Sequence, residues 1–192
     1  MSRFLDRVTA WVLALGGAVG LVAATALTVE KINLVADPDY LPRCSLNPVL
    51  SCGSVMSTWQ AEVFGIPNPL LGIAGFAVAG TVGVVLLTGV RLPGWFWLGL
   101  QAGVTFGVVL VHWLIYQSLY VIGALCPYCM VVWVVTIPVF LYATLGTLRR
   151  FRPDGRVTRT VGTYHSLVLV VWYATVLAAV LHRFWDYWRT LA

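Results

Sequence analysis

Four cysteines in two pairs are the residues of this chain whose type and spacing are suited to chemistry. Cys44 and Cys52 stand in a polar stretch, and we call them the loop pair. Cys126 and Cys129, which we call the helix pair, form a Cys-Pro-Tyr-Cys motif where a long apolar segment begins. Because a thiolate attacks a disulfide sulfur, two dithiol pairs within reach of each other can exchange a disulfide. The cysteines therefore indicate thiol–disulfide exchange, provided that the fold brings the two pairs together.

The spacing of the helix pair favours a disulfide that opens and closes. Residues three apart on a helix share a face, with about 5–6 Å between their Cβ atoms, and modest relaxation then allows a disulfide. Pro127 suits the first helical position, which places Cys126 near the N-cap. The positive end of the helix dipole favours a thiolate there and lowers its pKa.

Three other interpretations of the cysteines stay open at this point. Two disulfides would staple the loop to the helices without any turnover. Four thiolates would bind zinc, although the wide spacing of the loop pair and an oxidising surrounding speak against a metal site. Palmitoylation usually concerns cysteines on the cytoplasmic side of a membrane. Spacing and topology favour the redox interpretation, and no metal is expected.

The composition indicates an integral membrane protein. Hydrophobic residues make up 60% of the 192 residues, and charged residues only 10%. Several apolar runs reach the ~20 residues that cross a hydrocarbon core of ~30 Å, and backbone groups in lipid must bond within helices. Five spanning helices are predicted, at about Val8 to Val29, Pro69 to Thr88, Trp95 to Tyr120, Cys126 to Leu148 and Thr163 to His182.

The cations predict the orientation of these helices. One side would carry eight arginines and the other side four cations, and the side with more Lys and Arg is cytoplasmic. Both cysteine pairs then face the extracytoplasmic space, where disulfides persist, and so does the C-terminus. The arginines are thus topology anchors, and nucleic-acid binding is not expected. The larger set is Arg3, Arg7, Arg91, Arg149, Arg150, Arg152, Arg156 and Arg159, and the smaller is Lys31, Arg43, Arg183 and Arg189.

The polar loop after the first helix carries further candidate residues. Val55, Trp59 and Val63 are four apart, which predicts a short amphipathic helix on the outer ends of the spanning helices. Ser57 and Thr58 would offer hydroxyl groups near Cys52. Asn68 lies where the loop re-enters the membrane. Its amide would either donate to a carbonyl oxygen or cap the helix that begins at Pro69.

Together these residues resemble the vitamin K epoxide reductase family. The resemblance rests on the loop pair with seven intervening residues, Ser57-Thr58, the stretch Asn68-Pro69-Leu70-Leu71-Gly72, and the helix pair at the start of a later helix. It implies a four-helix transmembrane bundle around a quinone, with a fifth, peripheral transmembrane helix as in bacterial members. The implied division is a catalytic bundle over residues 1–148 with a redox loop at 30–68, a basic cytoplasmic loop at 149–162, and the fifth helix and short tail at 163–192.

The resemblance also implies roles for individual residues. Cys44 resembles the cysteine that exchanges with a partner, and Cys52 its mate, which passes the bond to Cys126. Cys129 resembles the cysteine beside the quinone. Asn68 resembles the residue that binds a quinone carbonyl, and Ser57 and Thr58 resemble hydroxyl residues of the same pocket. Trp133 stands where members that reduce the epoxide commonly have tyrosine, and an indole donates but does not accept a hydrogen bond.

The function implied by the resemblance is a quinone-dependent thiol–disulfide oxidoreductase of the bacterial inner membrane. It would reoxidise a separate DsbA-like thioredoxin-fold protein, because only ten residues follow His182, and pass electrons to menaquinone or ubiquinone. A thiol-driven vitamin K quinone or epoxide reductase and a non-catalytic, disulfide-stapled scaffold are the alternatives. His112, inside the third helix, would relay protons to the quinone or bond to a neighbouring helix as a neutral histidine.

Overall fold

Most of the described chain is helical. The computed structural model describes residues 2–37 and 39–189, and the last residues of the predicted tail lie outside this part. Within it, extended pairing is limited to an isolated bridge between Leu50 and Leu125. The α-helices are α1 (Ser2–Ala36), α2 (Cys52–Met56), α3 (Asn68–Leu87), α4 (Gly94–Tyr116), α5 (Pro127–Phe151), α6 (Arg156–Arg183) and α7 (Trp185–Arg189).

Five of these helices, α1, α3, α4, α5 and α6, are long and apolar enough to cross a membrane. The prediction of an all-α membrane protein with five spanning helices is therefore confirmed. Two further short helices are not α-helical. A 3-10 helix, Trp59–Glu62, follows α2, and a π-helix, Gln117–Ile122, continues α4.

Helix α5 lies at the centre of the bundle and packs along α1, α4 and α6, while α1 also packs along α3. Glycines allow α1 and α3 to approach closely. A Cβ added to Gly17 would collide with the backbone of Gly80, and one added to Gly83 would collide with that of Ala14. Small residues of this kind let helices in lipid gain packing contacts that larger side chains prevent.

Helix α1 continues beyond the apolar run that predicted it and ends at Ala36 rather than near Val29. The last turns contain Glu30 and Lys31, which are costly to leave unpaired near lipid. Both find partners in the loop: Tyr40 donates to Glu30, and Lys31 donates to the carbonyl of Met56 and pairs with Glu62. These bonds let the helix rise out of the apolar layer.

The predicted amphipathic helix of the loop forms as two short helices, α2 and the 3-10 helix Trp59–Glu62. The break falls at Ser57 and Thr58. Their hydroxyl groups donate to the carbonyls of Ser54 and Val55, and such local bonds compete with helix continuation. As a result Val55 is buried, whereas the Trp59 side chain is 67% exposed.

Helix α6 lies at the periphery of the bundle. Only 6% of its apolar window is buried, against 50% for α5. The two ends of the molecule are distinct. At one end Asp6 pairs with Arg149 and Gly94 meets Phe151. The other end, which we call the outer end, carries the loop between α1 and α3 and all four cysteines.

Candidate active site

The two cysteine pairs meet at the outer end of the bundle. Cys44 and Cys52 form a disulfide, with 5.6 Å between their Cα atoms. The Sγ atom of Cys52 lies 3.0 Å from the Sγ atom of Cys126, and both residues are completely buried. Cys126 and Cys129 are free cysteines. The disulfide sulfur of Cys52 is therefore in direct contact with a thiol of the helix pair.

Backbone pairing fixes this contact. Leu50 and Leu125 form the isolated parallel bridge, in which Leu125 donates its N–H to Val49 and Ser51 donates its N–H to Leu125. Ser51 directly precedes Cys52, and Leu125 directly precedes Cys126. The bridge thus aligns the two chain segments one residue before each reacting sulfur. No pattern in the sequence predicted this pairing, because it joins segments far apart in the chain.

The loop that carries Cys44 is anchored to α1 by a buried carboxylate. Glu30, which is 7% exposed, accepts hydrogen bonds from the Tyr40 hydroxyl at 2.9 Å and from the N–H of Arg43 at 3.3 Å. Arg43 is the residue before Cys44. A buried polar side chain requires such hydrogen-bond partners, and here these bonds hold the chain segment next to Cys44 against α1.

Cys126 is the N-cap residue of α5, as its position before Pro127 predicts. The pKa of its thiol is lowered, first by a hydrogen bond with the Cys129 side chain and then by the N–H groups of Cys129 and Tyr128, against the opposing effect of burial. These N–H groups belong to the first turn of the helix, where anions are stabilised. Cys126 is therefore the thiol of the helix pair that is prepared to act as a thiolate.

A cavity of about 100 Å³ lies beside the helix pair, and we call it the inner cavity. Cys129, Asn68 and Trp133 contribute to its wall. Most of the lining is apolar, and the polar members besides Asn68 are Lys31, Gln60 and Ser118. An apolar cavity with a few convergent polar groups is typical of a site for a small organic molecule.

A second, larger space of about 560 Å³ runs between α3 and α4, and we call it the lateral groove. It shares Asn68, Gly72 and Leu114 with the inner cavity and continues along the helices to Trp95. Gly99, Gly103 and Gly107 line its α4 side, and a Cβ added to any of them would meet no atom within 4 Å. The inner cavity therefore continues into an apolar groove along the spanning helices.

Asn68 joins the loop to the inner cavity. Its Nδ2 atom donates to the carbonyl of Gln60 at 2.7 Å, and its Oδ1 atom accepts the N–H of Val63 at 3.3 Å. The amide thus holds the 3-10 helix Trp59–Glu62 over the cavity. Because an amide nitrogen carries two hydrogens, one donor of Asn68 is left for a bound molecule.

The structure does not bring every predicted residue to the cavity wall. Ser57 and Thr58 bond to the loop backbone and are not among the lining residues. His112 contacts the carbonyl of Val108 through Nδ1 at 2.7 Å and accepts from the Trp172 indole through Nε2 at 2.8 Å. These bonds place the histidine between α4 and α6, and it is not among the residues that line the inner cavity.

Two residues of the site carried no functional signal in the sequence. Lys31, counted there only as a topology cation, lines the inner cavity with a side chain that is 13% exposed. Gln60 is buried, lines the cavity and donates to Gln117 of the π-helix at 3.4 Å. Their distance along the chain from the helix pair explains why spacing alone did not point to them.

The lining fits the ring of a quinone. A flat, apolar ring with two carbonyl oxygens needs an apolar slot with donors at its edge, and the second N–H of Asn68 and the Lys31 ammonium meet this need. The lateral groove would take an apolar chain attached to the ring. A thiol of the helix pair, Cys129, stands in the same wall.

Comparison with known proteins agrees with this geometry. The model of the vitamin K epoxide reductase family matches residues 11–144, which include all four cysteines, Asn68 and Trp133. No curated protein sequence matches the chain. The fold and site define a multi-pass membrane protein with redox-active cysteines. The chain belongs to the vitamin K epoxide reductase family, whose members are membrane thiol–disulfide oxidoreductases linked to quinones and to thioredoxin-like partners.

Proposed function

We propose that the protein reoxidises a DsbA-like thioredoxin-fold protein and passes the two electrons to a membrane quinone, in support of disulfide formation. The observation that carries this proposal is the contact of 3.0 Å between the sulfurs of Cys52 and Cys126, with Cys129 in the wall of the inner cavity. The cysteine sulfurs thus form a path from the loop pair to the inner cavity. A static staple needs no such contact with a free thiol.

The first step takes place at the loop pair. A thiolate of the reduced partner attacks Cys44 and expels the Cys52 thiolate, and the second partner thiol then releases Cys44. The partner leaves as a disulfide, and the loop pair holds two thiols, so two electrons and two protons have moved. The polar loop that carries Cys44 lies outside the membrane spans, on the side that a soluble partner reaches. The Cys44 side chain is 6% exposed, so the loop must move when the partner attacks.

The second step moves the disulfide between the pairs. The Cys52 thiolate attacks Cys126 of an oxidised helix pair and expels Cys129, and Cys44 then attacks Cys52 to release Cys126. The loop pair is again a disulfide, and the helix pair is a dithiol. This step leaves Cys44–Cys52 bonded and Cys126 and Cys129 free, which is also how the four cysteines are bonded in the structure.

The third step returns the helix pair to its disulfide. Cys126 and Cys129 give up two electrons and two protons as their S–S bond forms again. A bound quinone would accept both electrons and both protons. Asn68 and Lys31 would orient its ring by donating to the carbonyl oxygens, while the apolar lining excludes water from the sulfur of Cys129.

We further propose that the outer end faces the extracytoplasmic side of a bacterial inner membrane. The Asp6–Arg149 pair places the first turns of α1 and the basic loop after α5 at the opposite end. Since loops rich in arginine stay in the cytoplasm, the cysteines then meet secreted proteins. Labelling of single added cysteines with a membrane-impermeant maleimide, at Asp154 and at Leu46, tests this orientation.

The experiment that tests the proposed function follows quinone reduction by a reduced DsbA-like protein, with purified protein in detergent. Menaquinone and ubiquinone of equal chain length are compared, and reactions without quinone or without the membrane protein are the controls. We expect quinone-dependent oxidation of the partner, which Cys129→Ala and Cys52→Ala each abolish. Full turnover in either variant would contradict the relay.

Epoxide reduction is the second candidate, and Trp133 disfavours it. Trp133 is 4% exposed and lines the inner cavity. Its indole offers a donor and no acceptor, unlike the tyrosine of members that reduce the epoxide. Assay of vitamin K epoxide with a dithiol, in the parent and in Trp133→Tyr, separates the two activities.

A further inference from the structure

The outer end of α6 contacts the turn that leads into Cys126. The Nε atom of Arg183 donates to the carbonyl of Leu119 at 2.7 Å. Leu119 belongs to the π-helix and is 1% exposed. The Arg183 side chain also lies against Gly123, where an added Cβ would be 3.8 Å from its guanidinium. A cation of the fifth spanning helix is therefore bonded to the last turn of the third.

The carbonyl of Leu119 is one that the helix itself leaves without a regular partner. The π-helix closes with the N–H of Gly123 bonded to the carbonyl of Ser118, and Gly123 adopts a left-handed conformation with φ of 72°. Carbonyls in the last turn of a helix need outside donors, and a cation at that end also favours the helix dipole. Arg183 supplies both the donor and the charge.

This turn determines the position of Cys126. Only Gly123, Ala124 and Leu125 separate the π-helix from Cys126, and Leu125 is the residue that bridges to the loop of Cys52. A shift of the turn would therefore move one side of the contact between the two reacting sulfurs. Transfer between positioned groups is sensitive to shifts of about 1 Å.

Apolar packing ties the same end of α6 to the bridge. Val180 and Phe184, each 6% exposed, belong to one buried cluster with Val49, Leu125 and Trp133. Cys129 packs against this cluster. The end of α6 thus contacts the bridge and the wall of the inner cavity, although most of the helix faces lipid.

We propose that Arg183 is a positioning residue for sulfur-to-sulfur transfer, and that the fifth helix thereby takes part in the relay. The inference rests on the proposed function and goes beyond it, because the family match ends at residue 144, before α6 begins. Arg183 holds the π-helical turn and so keeps Cys126 against Cys52. It contacts neither the partner nor the reacting sulfurs in this role.

The test measures how fast Cys52 and Cys126 bond to each other in the full chain. The starting protein, called the parent in this experiment, is the double variant Cys44→Ala/Cys129→Ala, in which Cys52 and Cys126 are the remaining cysteines. Diamide takes up the two electrons as the disulfide between them forms. Disulfide formation is followed by quenching and peptide mass spectrometry. In this background we expect Arg183→Gln to slow the reaction about tenfold, and Arg183→Lys, which keeps a donor and a charge, to stay within about threefold of the parent.

Arg189→Gln is the matched control, since Arg189 is an exposed arginine of the neighbouring helix α7. It should react at the parent rate, and thermal unfolding in detergent should give similar midpoints for all variants. An Arg183→Gln rate equal to the parent rate would overturn the inference, as would equal losses in all three variants. If Arg183→Gln does not fold, a tenfold loss in a stable Arg183→Lys contradicts it.

The same experiment separates failure of the inference from failure of the proposed function. A parent in which Cys52 and Cys126 never bond refutes the relay and the role of Arg183 with it. A parent that reacts fast, together with an unaffected Arg183→Gln, refutes only the positioning role and leaves the relay intact.

Discussion

At the scale of single residues, the different roles of Cys126 and Cys129 follow from their positions in the first turn of α5. Cys126 caps the helix and receives hydrogen bonds from the Cys129 thiol and from backbone N–H groups, so that the pKa of Cys126 is lowered. Cys129 lies one turn deeper, in the wall of the inner cavity. One thiol thus faces the loop disulfide and the other faces the apolar site.

The pH dependence of transfer tests this division. Cys129→Ala removes the side-chain hydrogen bond that contributes most to the lowered pKa of Cys126, whereas Cys129→Ser keeps a hydrogen-bond donor at the same place. A group with a lowered pKa is a thiolate down to lower pH, so attack of Cys126 on Cys52 should persist to lower pH in the serine variant. The release of the Cys44 thiol, followed with a maleimide from pH 5 to pH 9, gives both profiles. Coincident profiles would show that the Cys129 side chain does not tune Cys126.

Lys31 should contribute to quinone reduction through its charge. Its ammonium pairs with Glu62 at 2.9 Å, and Lys31 lines the inner cavity, where negative charge would develop on the oxygens of a bound quinone. Removal of one such donor costs about 10²-fold in buried sites, and partial exposure reduces this, so we expect a loss of about tenfold for Lys31→Met. Lys31→Arg should retain most of the activity. The rate of quinone reduction at saturating partner is the measurement, and equal activity in Lys31→Met and the parent would remove Lys31 from the site.

At the scale of elements, α4 has two different sides: one is packed against α5, and the other borders the open lateral groove. Toward α5, Trp97 is buried against Gly146, and its carbonyl accepts a hydrogen bond from Thr147. Toward α3, glycines leave the lateral groove open. Bundles of helices in lipid normally close such gaps with side chains, so an open, glycine-lined groove suits a long apolar ligand.

A leucine in the groove should discriminate between quinones by their chains. Gly103→Leu adds a side chain where a Cβ meets no atom within 4 Å, so the fold should tolerate it. We expect the KM for a quinone with a long prenyl chain to rise about tenfold, which corresponds to ~1.4 kcal/mol of lost binding. A quinone with a short chain should keep its KM. An unchanged KM for both quinones would show that the chain does not lie in the groove.

At the scale of the whole molecule, sequence patterns sufficed where the physics is local. Length and hydropathy predicted the five spans, and Cys126 before Pro127 predicted an N-cap, because each depends on neighbours in the chain. The extension of α1 to Ala36 was missed, since Glu30 and Lys31 find their partners only in the folded loop.

Contacts between distant segments could not be derived in this way. His112 bonds to Trp172 across 60 positions, and Arg183 bonds to Leu119 across 64. Such pairs depend on how α6 is placed against α4, and no periodicity in either helix encodes that placement. The same holds for the bridge of Leu50 and Leu125, on which the contact of the two cysteine pairs depends.

The most direct test of the central claim is to determine which sulfur of the helix pair bonds to Cys52 in native membranes. In Cys44→Ala/Cys129→Ala, the structure predicts a disulfide between Cys52 and Cys126 within one chain, since these sulfurs already lie 3.0 Å apart. In Cys44→Ala/Cys126→Ala, far less of a Cys52–Cys129 disulfide should form. Mass spectrometry of the non-reduced peptides reads out both. Equal yields, or bonds only between different chains, would contradict the relay.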